Sequence, residues 1–217
     1  MISILMPVHN GIEFIDESVS SVLYQSYDKW ELIIGINGHE QNSDVYKYAK
    51  ILENIDQRIQ VIDLYKIKGK SNALNEMKKY CKYDWICLLD VDDKWLPTKL
   101  HSQIIYMDEY DVIGTRCKYF GDSNVIPCIP SGNITNFNFF LYNPLINSSC
   151  LLKKELAYWD KFHDGVEDYD LWLSLRKKNK KFYNVNTIQV LHRLHNNSAF
   201  NAQGNYLKIK ELLKKYY

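Results

Sequence analysis

The chain has 217 residues, of which 46% are hydrophobic and 14% aromatic, and this is enough to bury one sizeable core. Its formal net charge of +1 argues against the concentrated basic surface that broad nucleic-acid binding requires. We therefore expect a single domain over residues 1–217 and no nucleic-acid partner.

The first half of the chain alternates short apolar strands with amphipathic helical patterns. Helices of this kind connect parallel strands, so the pattern predicts a mainly parallel sheet with helices on both faces, as in doubly wound α/β folds. In chain order, the predicted pairs are strand 2–6 with a helix from 11, strand 30–34 with helix 44–52, strand 59–62 with helix 71–81, and strand 85–89 with a helix near 95–97.

After residue 110 this alternation weakens. Residues 111–119 and 147–152 are predicted as strands, separated by an irregular Pro-, Gly- and Asn-rich stretch over 121–138. A helix over 167–178 and one or two strands over 182–193 follow. The last predicted helix, 203–217, is amphipathic; we expect it to dock onto the domain, and contact with a membrane surface is the alternative.

Five cysteines show neither C-x-x-C spacing nor an even count, and we interpret them as reduced core thiols. A strand begins within two residues of Met1, which leaves no room for a signal peptide. No segment reaches the roughly eighteen apolar residues of a membrane span. These features predict a cytoplasmic location.

Polar residues follow three of the predicted parallel strands. His9 and Asn10 follow the first strand, Asn37 follows the second, and Asp90 and Asp92 follow the fourth. Because ligands of such sheets bind at the carboxyl ends of the strands, we predict a nucleotide-type site at this edge.

The fourth strand runs directly into Asp90-Val91-Asp92-Asp93. Ionised carboxylates at this density repel one another, and a hard divalent cation bound together with phosphates relieves that repulsion. The alternative is an acidic turn in which Asp93 begins the next helix.

A second acidic pair, Glu167 and Asp168, opens the helix over 167–178. Capping of the helix N-terminus is the ordinary explanation for such a pair. A reaction that needs both a cation and a proton acceptor, however, requires two separate acidic centres, and this chain has two.

Five motifs occur in order along the chain: Pro7-Val8-His9-Asn10, Ala73-Leu74-Asn75, Leu89-Asp90-Val91-Asp92-Asp93, Glu167-Asp168-Tyr169-Asp170-Leu171-Trp172 and Arg193-Leu194-His195-Asn196-Asn197-Ser198. Together they resemble family-2 glycosyltransferases along nearly the whole chain. The resemblance implies a GT-A (Rossmann-like) α/β fold, with a mainly parallel central sheet flanked by helices and a smaller sheet region on the acceptor side. It also implies transfer of a sugar from a nucleotide-diphosphate donor to an acceptor hydroxyl, with inversion.

By the same resemblance, Asp90 would contact the donor ribose, and Asp92 would bind Mn²⁺ or Mg²⁺, with Asp90 as a further candidate ligand. Asp168 would be the catalytic base, and Glu167 would orient the acceptor. The remaining candidates for binding the donor are Pro7, His9, Asn10, Asn37, Lys70, Asn75 and Arg193.

Three of these side chains have competing interpretations. His195 is either a metal ligand or diphosphate donor, or a histidine that is hydrogen-bonded within a loop. Arg193 contacts phosphate or the acidic cluster, or forms a surface salt bridge. Lys70 reaches the diphosphate, or is an exposed loop lysine.

Many relatives carry two aspartates after the second strand, where this chain has Ile36 and Asn37. An asparagine can still accept a hydrogen bond from the uracil imide through its carbonyl oxygen, so a UDP-sugar remains the expected donor. The resemblance predicts a hexosyl- or N-acetylhexosaminyl-transferase acting in glycan biosynthesis. The alternatives are an inactive nucleotide-sugar or glycan-binding module and, disfavoured because no glycine-rich triphosphate loop follows the first strand, a sugar-phosphate nucleotidyltransferase.

We expect residues 1–110 to bind the nucleotide sugar, residues 111–200 to bind the acceptor, and residues 201–217 to form the final helix. The expected acceptor is a glycan, a lipid-linked molecule or a protein. Contact with a membrane would then be peripheral.

Overall fold

A computed structural model describes residues 1–195 and 204–217. In that part of the chain, nine strands form one mixed sheet, and six α-helices accompany it. The strands are β1 (Ile2–Val8), β2 (Trp30–Asn37), β3 (Ile59–Leu64), β4 (Trp85–Leu88), β5 (Lys94–Trp95), β6 (Val112–Gly121), β7 (Gly132–Asn133), β8 (Leu151–Lys153) and β9 (Phe182–Leu194). The helices are α1 (Ile15–Leu23), α2 (Asp44–Ile51), α3 (Lys70–Met77), α4 (Lys99–Ile104), α5 (Glu167–Lys177) and α6 (Asn205–Tyr216).

The strand order is β3-β2-β1-β4-β8-β6-β9-β5, and β7 pairs with β9 off this path. β1 to β4 are mutually parallel, as predicted from the alternation of strands and helices. β8 is antiparallel to both β4 and β6, and it joins the strands of the second half to the same sheet. The carboxyl ends of β1, β2 and β4 therefore lie at one edge.

The core lies on both faces of the sheet because successive side chains of a strand point in opposite directions. Ile4 and Ile34 belong to the core that packs against α1 and α2. Leu5 and Ile33 belong to the core on the other face, with α3, α5 and α6. Burial on both faces explains why these strands are continuously apolar rather than alternating.

The helix predicted near residues 95–97 begins later, at Lys99. Lys94 and Trp95 instead pair with β9 as β5, and the Leu96 amide donates to the Gln189 carbonyl. Pro97 accounts for the delay because a proline disfavours helical geometry at the residue before it.

Other predicted element boundaries also differ from those in the structure. Residues 147–152 are not one strand, because Asn147–Ser149 form a 3-10 turn before β8. α3 ends at Met77, and a 3-10 turn, Lys78–Tyr80, continues it. All five cysteines are unpaired thiols, but Cys128 is exposed, so the prediction of a core thiol is wrong there.

α6 docks onto the domain, as expected from its amphipathic pattern. Leu212 is buried, and Ile209, Leu213 and Tyr216 pack against the core beside α5. Among the described residues, no helix combines the length and apolar character needed to cross a bilayer.

Candidate functional site

Asp90 lies immediately beyond β4 and is held by residues of the acceptor-side half. Its backbone amide donates a hydrogen bond to the Ser148 hydroxyl oxygen at 3.0 Å, and the Asn147 side-chain amide donates to both carboxylate oxygens at 3.0 Å. Burial would raise the pKa of Asp90, but the nearby Lys70 ammonium outweighs burial and lowers it. Asp90 is therefore ionised and fixed in one orientation.

Lys70 connects the two acidic centres. Its Nζ lies 2.7 Å from Asp90 Oδ1 and 3.4 Å from Glu167 Oε1. Burial would lower the pKa of Lys70, but the two carboxylates outweigh burial and raise it above its ordinary value. The carboxyl end of β4 and the start of α5 are thus joined through one permanent positive charge.

The backbone around Lys70 is fixed by a long-range contact. Asp164 Oδ1 accepts a hydrogen bond from the Ser71 amide at 2.9 Å. Gly69 has φ +85°, and a Cβ at this position would collide with the Asp164 carboxylate. Glycine is therefore required at residue 69, and Lys70 begins α3 at a defined position.

Glu167 and Asp168 occupy the first turn of α5 and face different partners. Glu167 Oε2 accepts from the Gly165 amide at 2.6 Å, whereas Asp168 Oδ2 accepts from the Asn143 side-chain amide at 3.0 Å. Burial, and then repulsion from Glu167, raise the pKa of Asp168 to about 6. A carboxyl with this pKa is ionised at neutral pH but is a stronger base than an ordinary aspartate.

Asp92 lies opposite His195, with 3.1 Å between Asp92 Oδ2 and His195 Nε2. Burial raises the pKa of Asp92, and repulsion from Asp93 and Asp90 adds to the effect. The contact with His195 acts in the opposite direction. The partly buried carboxylate suits Mn²⁺ or Mg²⁺, and the imidazole nitrogen facing it would favour Mn²⁺ because Mg²⁺ prefers oxygen ligands. A cation there would relieve the carboxylate repulsion.

Asp93 does not cap a helix, so that alternative for the acidic motif is wrong. Its side chain is fully buried and accepts from the Arg193 backbone amide at 2.9 Å, and His192 Nδ1 lies 2.9 Å from its other oxygen. Burial would lower the pKa of His192, but the Asp93 carboxylate outweighs burial and raises it to about 9. This ion pair attaches the end of β9 to the acidic motif and thereby places His195 beside Asp92.

Arg193 contacts the acidic motif through its side chain as well. Its Nε donates to the Asp92 carbonyl at 3.0 Å, and one terminal nitrogen lies 3.1 Å from the Glu17 carboxylate. The guanidinium stacks between the rings of Phe14 and Phe120, with 4.3 Å to each centroid. Arg193 thus contacts the acidic motif through the Asp92 backbone and also forms a salt bridge with Glu17, whereas its contact with phosphate stays a prediction.

The ends of β1 and β2 lie side by side at the same edge. Pro7 is paired in register with Gly35, and His9 Nδ1 lies 3.1 Å from the Asn37 carbonyl oxygen. His9 and Asn10 are exposed, whereas Asn37 is 3% exposed. The side-chain oxygen of Asn37 has no hydrogen-bond partner among the described residues. A buried acceptor of this kind fits a ligand that carries an N–H group.

Asn75, a further candidate for binding the donor, has its side chain paired with the backbone of a neighbouring loop. Its side-chain amide donates to the Trp159 carbonyl at 2.6 Å and accepts from the Trp159 amide at 3.1 Å. Both polar ends of the side chain are therefore used to hold the loop after β8 against α3.

Three residues that contact the acidic centres were not predicted from the sequence: Asn143, Asn147 and His192. The two asparagines lie in a segment that carries no motif, and their partners are distant in the chain. Asn196, Asn197 and Ser198 of the fifth motif lie outside the described residues.

Comparison with known proteins identifies the same family by a family model and by similar proteins. A model of the family described as glycosyl transferase family 2 matches residues 3–151. The chain is 31% identical to the O-antigen biosynthesis glycosyltransferase WbnJ of Escherichia coli, over 99% of this chain and 90% of that protein. It is 32% identical to the Escherichia coli UDP-Glc:alpha-D-GlcNAc-diphosphoundecaprenol beta-1,3-glucosyltransferase WfgD, over 82% of this chain and 71% of that protein.

Among solved structures, the crystal structure of S. aureus TarS 1-349 in complex with UDP-GlcNAc superimposes with a TM-score of 0.77 at 14% identity. The match covers 99% of this chain and 66% of that one, so the present chain spans just under two thirds of the solved structure. This likeness confirms the predicted GT-A-like α/β fold.

Proposed function

The chain belongs to glycosyl transferase family 2 and is a glycosyltransferase, and we propose that it transfers a sugar from a UDP-sugar to an acceptor hydroxyl with inversion. The observation that carries this proposal is the position of Lys70 between Asp90 and Glu167. This contact brings the aspartates that follow β4 and the carboxylates that open α5 into one site. We assign residues 1–110 to donor binding and residues 111–200 to acceptor binding.

Asp168 is the proposed base. The attacking alcohol must lose its proton as the new bond forms, and a carboxylate within hydrogen-bond reach accepts it. The raised pKa of about 6 makes Asp168 suited to this step near neutral pH. Asn143 fixes the Asp168 carboxylate through Oδ2, and Glu167 would orient the acceptor. With one base and no enzyme nucleophile, the acceptor hydroxyl displaces the nucleotide diphosphate directly, and the configuration at the anomeric carbon is inverted.

The proposed metal ligands are Asp92 and His195. Asp90 is a weaker candidate because both of its oxygens already accept hydrogen bonds from Asn147, and one also contacts Lys70; these contacts favour a positioning role towards the donor. A bound Mn²⁺ or Mg²⁺ would offset the negative charge that develops on the leaving diphosphate. The ammonium of Lys70 lies beside the same aspartate and would contribute in the same direction.

UDP is the proposed nucleotide of the donor. The buried side-chain oxygen of Asn37, which has no partner in the described part of the chain, can accept a hydrogen bond from the uracil imide. The names of two similar proteins support this choice, since WfgD uses UDP-Glc and the TarS structure contains UDP-GlcNAc. WfgD acts on a diphosphoundecaprenol-linked sugar, which supports a lipid-linked acceptor in glycan biosynthesis for the present chain as well.

The test is to compare nucleotide binding with turnover in wild type and Asp168→Asn. UDP release from a panel of UDP-sugars and acceptors measures turnover, and the melting temperature with UDP measures binding. We expect Asp168→Asn to lose at least about 100-fold in rate, because general-base catalysis contributes about that much or more, while it retains the UDP-dependent rise in melting temperature. Asp44→Asn, a change at a fully exposed side chain, is the control. A rate that is unchanged in Asp168→Asn contradicts the assignment of the base.

A further inference from the structure

The outward side of α6 combines exposed apolar side chains with two exposed lysines. Leu207, Lys210 and Lys214 follow i, i+3, i+7 spacing and therefore form one stripe, opposite the side on which Leu212 is buried. Leu207 is 64% exposed, and Tyr206, at the edge of the stripe, is 75% exposed. An amphipathic helix that docks through one side would ordinarily present a mainly polar surface on the other.

A loop of the acceptor-side half extends this apolar surface. Phe140 and Leu141 are exposed, with Leu141 at 68%. The Phe140 ring lies edge-on to the Tyr217 ring, with 6.1 Å between their centroids, so the loop and the end of α6 are in contact. We call this combined surface the α6 face and define it by six residues: Phe140, Leu141, Tyr206, Leu207, Lys210 and Lys214.

The lysines of α6 fall into two groups. Lys208 donates to the Asp164 carbonyl at 2.8 Å, and Lys215 contacts Asp170 at 2.9 Å and Asp160 at 3.3 Å, so both hold the helix to the domain. Lys210 and Lys214 are exposed, and neither has a salt-bridge partner within residues 1–195 and 204–217. Glu211 is also exposed and lies on the same side, four residues after Leu207, so Lys210, Lys214 and Glu211 together give this side a net charge of +1.

A second exposed apolar surface of the protein differs from the α6 face in its charge. Tyr48, Ile51 and Ile55 border an open cavity of about 280 Å³ between α1 and α2, on the opposite face of the sheet. The lysines of α2 beside them are neutralised locally, since Lys47 pairs with Asp44 and Lys50 pairs with Glu53. The α6 face thus combines exposed apolar side chains with a net positive charge, whereas on this second surface the lysines of α2 are paired with carboxylates.

We infer that the α6 face binds the surface of an anionic phospholipid bilayer. Aromatic and leucine side chains would enter the interface between headgroups and acyl chains, and Lys210 and Lys214 would pair with lipid phosphates. The same loop carries Asn143, whose side chain donates to Asp168. Bilayer binding would therefore present a lipid-linked acceptor beside the base, a consequence that rests on the proposed function, whereas the binding itself does not.

The test is flotation of the whole chain with vesicles, without nucleotide or acceptor. The vesicles are phosphatidylcholine alone, or phosphatidylcholine with about one third phosphatidylglycerol. We expect binding to the anionic vesicles only, and weaker binding at high salt. Because each lysine contributes about fivefold to partitioning, Lys210→Gln/Lys214→Gln should reduce it at least about tenfold, and Leu207→Ser should also weaken it.

The control is Lys47→Gln/Lys50→Gln on the opposite face, which removes the same charge and should bind as wild type does. The inference is wrong if wild type does not float with anionic vesicles, if neutral vesicles bind equally well, or if the control loses as much binding as the variant of the α6 face. The UDP-dependent melting shift is measured on the same samples. Loss of vesicle binding with an intact UDP shift affects only this inference, whereas absence of the UDP shift in wild type affects the proposed donor.

Discussion

The Lys70 ammonium lies 3.4 Å from the Glu167 carboxylate, although the two residues belong to different halves of the chain. At 2.7 Å, the same ammonium contacts Asp90. Three acidic side chains from two segments, Asp90, Glu167 and Asp168, thus lie in one electrostatic environment, and Lys70 is the positive charge shared between them.

Removing this charge should alter both stability and the pH dependence of activity. Lys70→Met leaves Asp90 and Glu167 without their cation, and we expect a loss of about 1–3 kcal/mol in the free energy of unfolding, reduced by the partial exposure of Lys70. The pKa of Asp168 should rise further because the attraction from Lys70 is lost. Chemical denaturation and a pH–rate profile measure the two effects. Lys70→Arg, which keeps the charge, should show smaller changes in both, and equal behaviour of the two variants would contradict the shared role.

The activity of wild type should follow the ionisation of Asp168. Its pKa is about 6, and only the ionised form can accept a proton, so the rate should rise with pH through about 6 and level off above about 7. The measurement is the initial rate of UDP release at saturating donor, with metal concentration held constant, over this pH range. A rate that is already at its plateau near pH 4.5 would show that the base has an ordinary carboxyl pKa.

The raised pKa of Asp168 also predicts that Asp168→Asn stabilises the folded protein at neutral pH. Between its ordinary value of 3.8 and about 6, the folded state binds more protons at Asp168 than the unfolded state, so stability falls as pH rises through this window. The neutral asparagine avoids that loss. We expect a gain of about 1–2 kcal/mol above pH about 7 after allowance for partial exposure, and none below pH about 4. Denaturation of both proteins at the two pH values tests this, and a destabilised variant at neutral pH would contradict it.

The buried pair of Asp93 and His192 should be needed for folding rather than for proton transfer. Asp93→Ala leaves the His192 side chain and the Arg193 amide without their acceptor, and we expect a loss of about 3–5 kcal/mol in the free energy of unfolding. Asp93→Asn retains one acceptor oxygen and should lose less. The free energies of unfolding of the two variants, measured by urea titration, check the order, and a neutral Asp93→Ala would rule out this role.

Much of the fold could be predicted because the signals are local. Strands β1 to β4 are apolar runs separated by helical patterns, and this alternation alone implies a parallel order with polar residues at the carboxyl ends. Asp90, Asp92 and Asn37 could therefore be placed at one edge before any contact was known.

The partners of these residues could not be predicted, because they come from distant segments. Asn147 is 57 residues from Asp90, and His192 is 99 residues from Asp93. Asn75 shows the opposite difficulty: its motif suggested binding of the donor, yet its amide pairs with the backbone of Trp159, 84 residues away. Such pairings depend on tertiary packing, for which a single sequence carries no periodic signal.

The proposed site for a cation and a nucleotide is tested most directly by the melting temperature with UDP, with and without Mn²⁺, in wild type and Asp92→Ala. A ligand that binds only the folded state raises the melting temperature by mass action. We predict that Mn²⁺ enlarges the UDP-dependent rise in wild type, that Asp92→Ala removes this metal-dependent part, and that Asp44→Ala, at a fully exposed position, behaves as wild type does. Equal metal-dependent rises in wild type and Asp92→Ala would contradict the account.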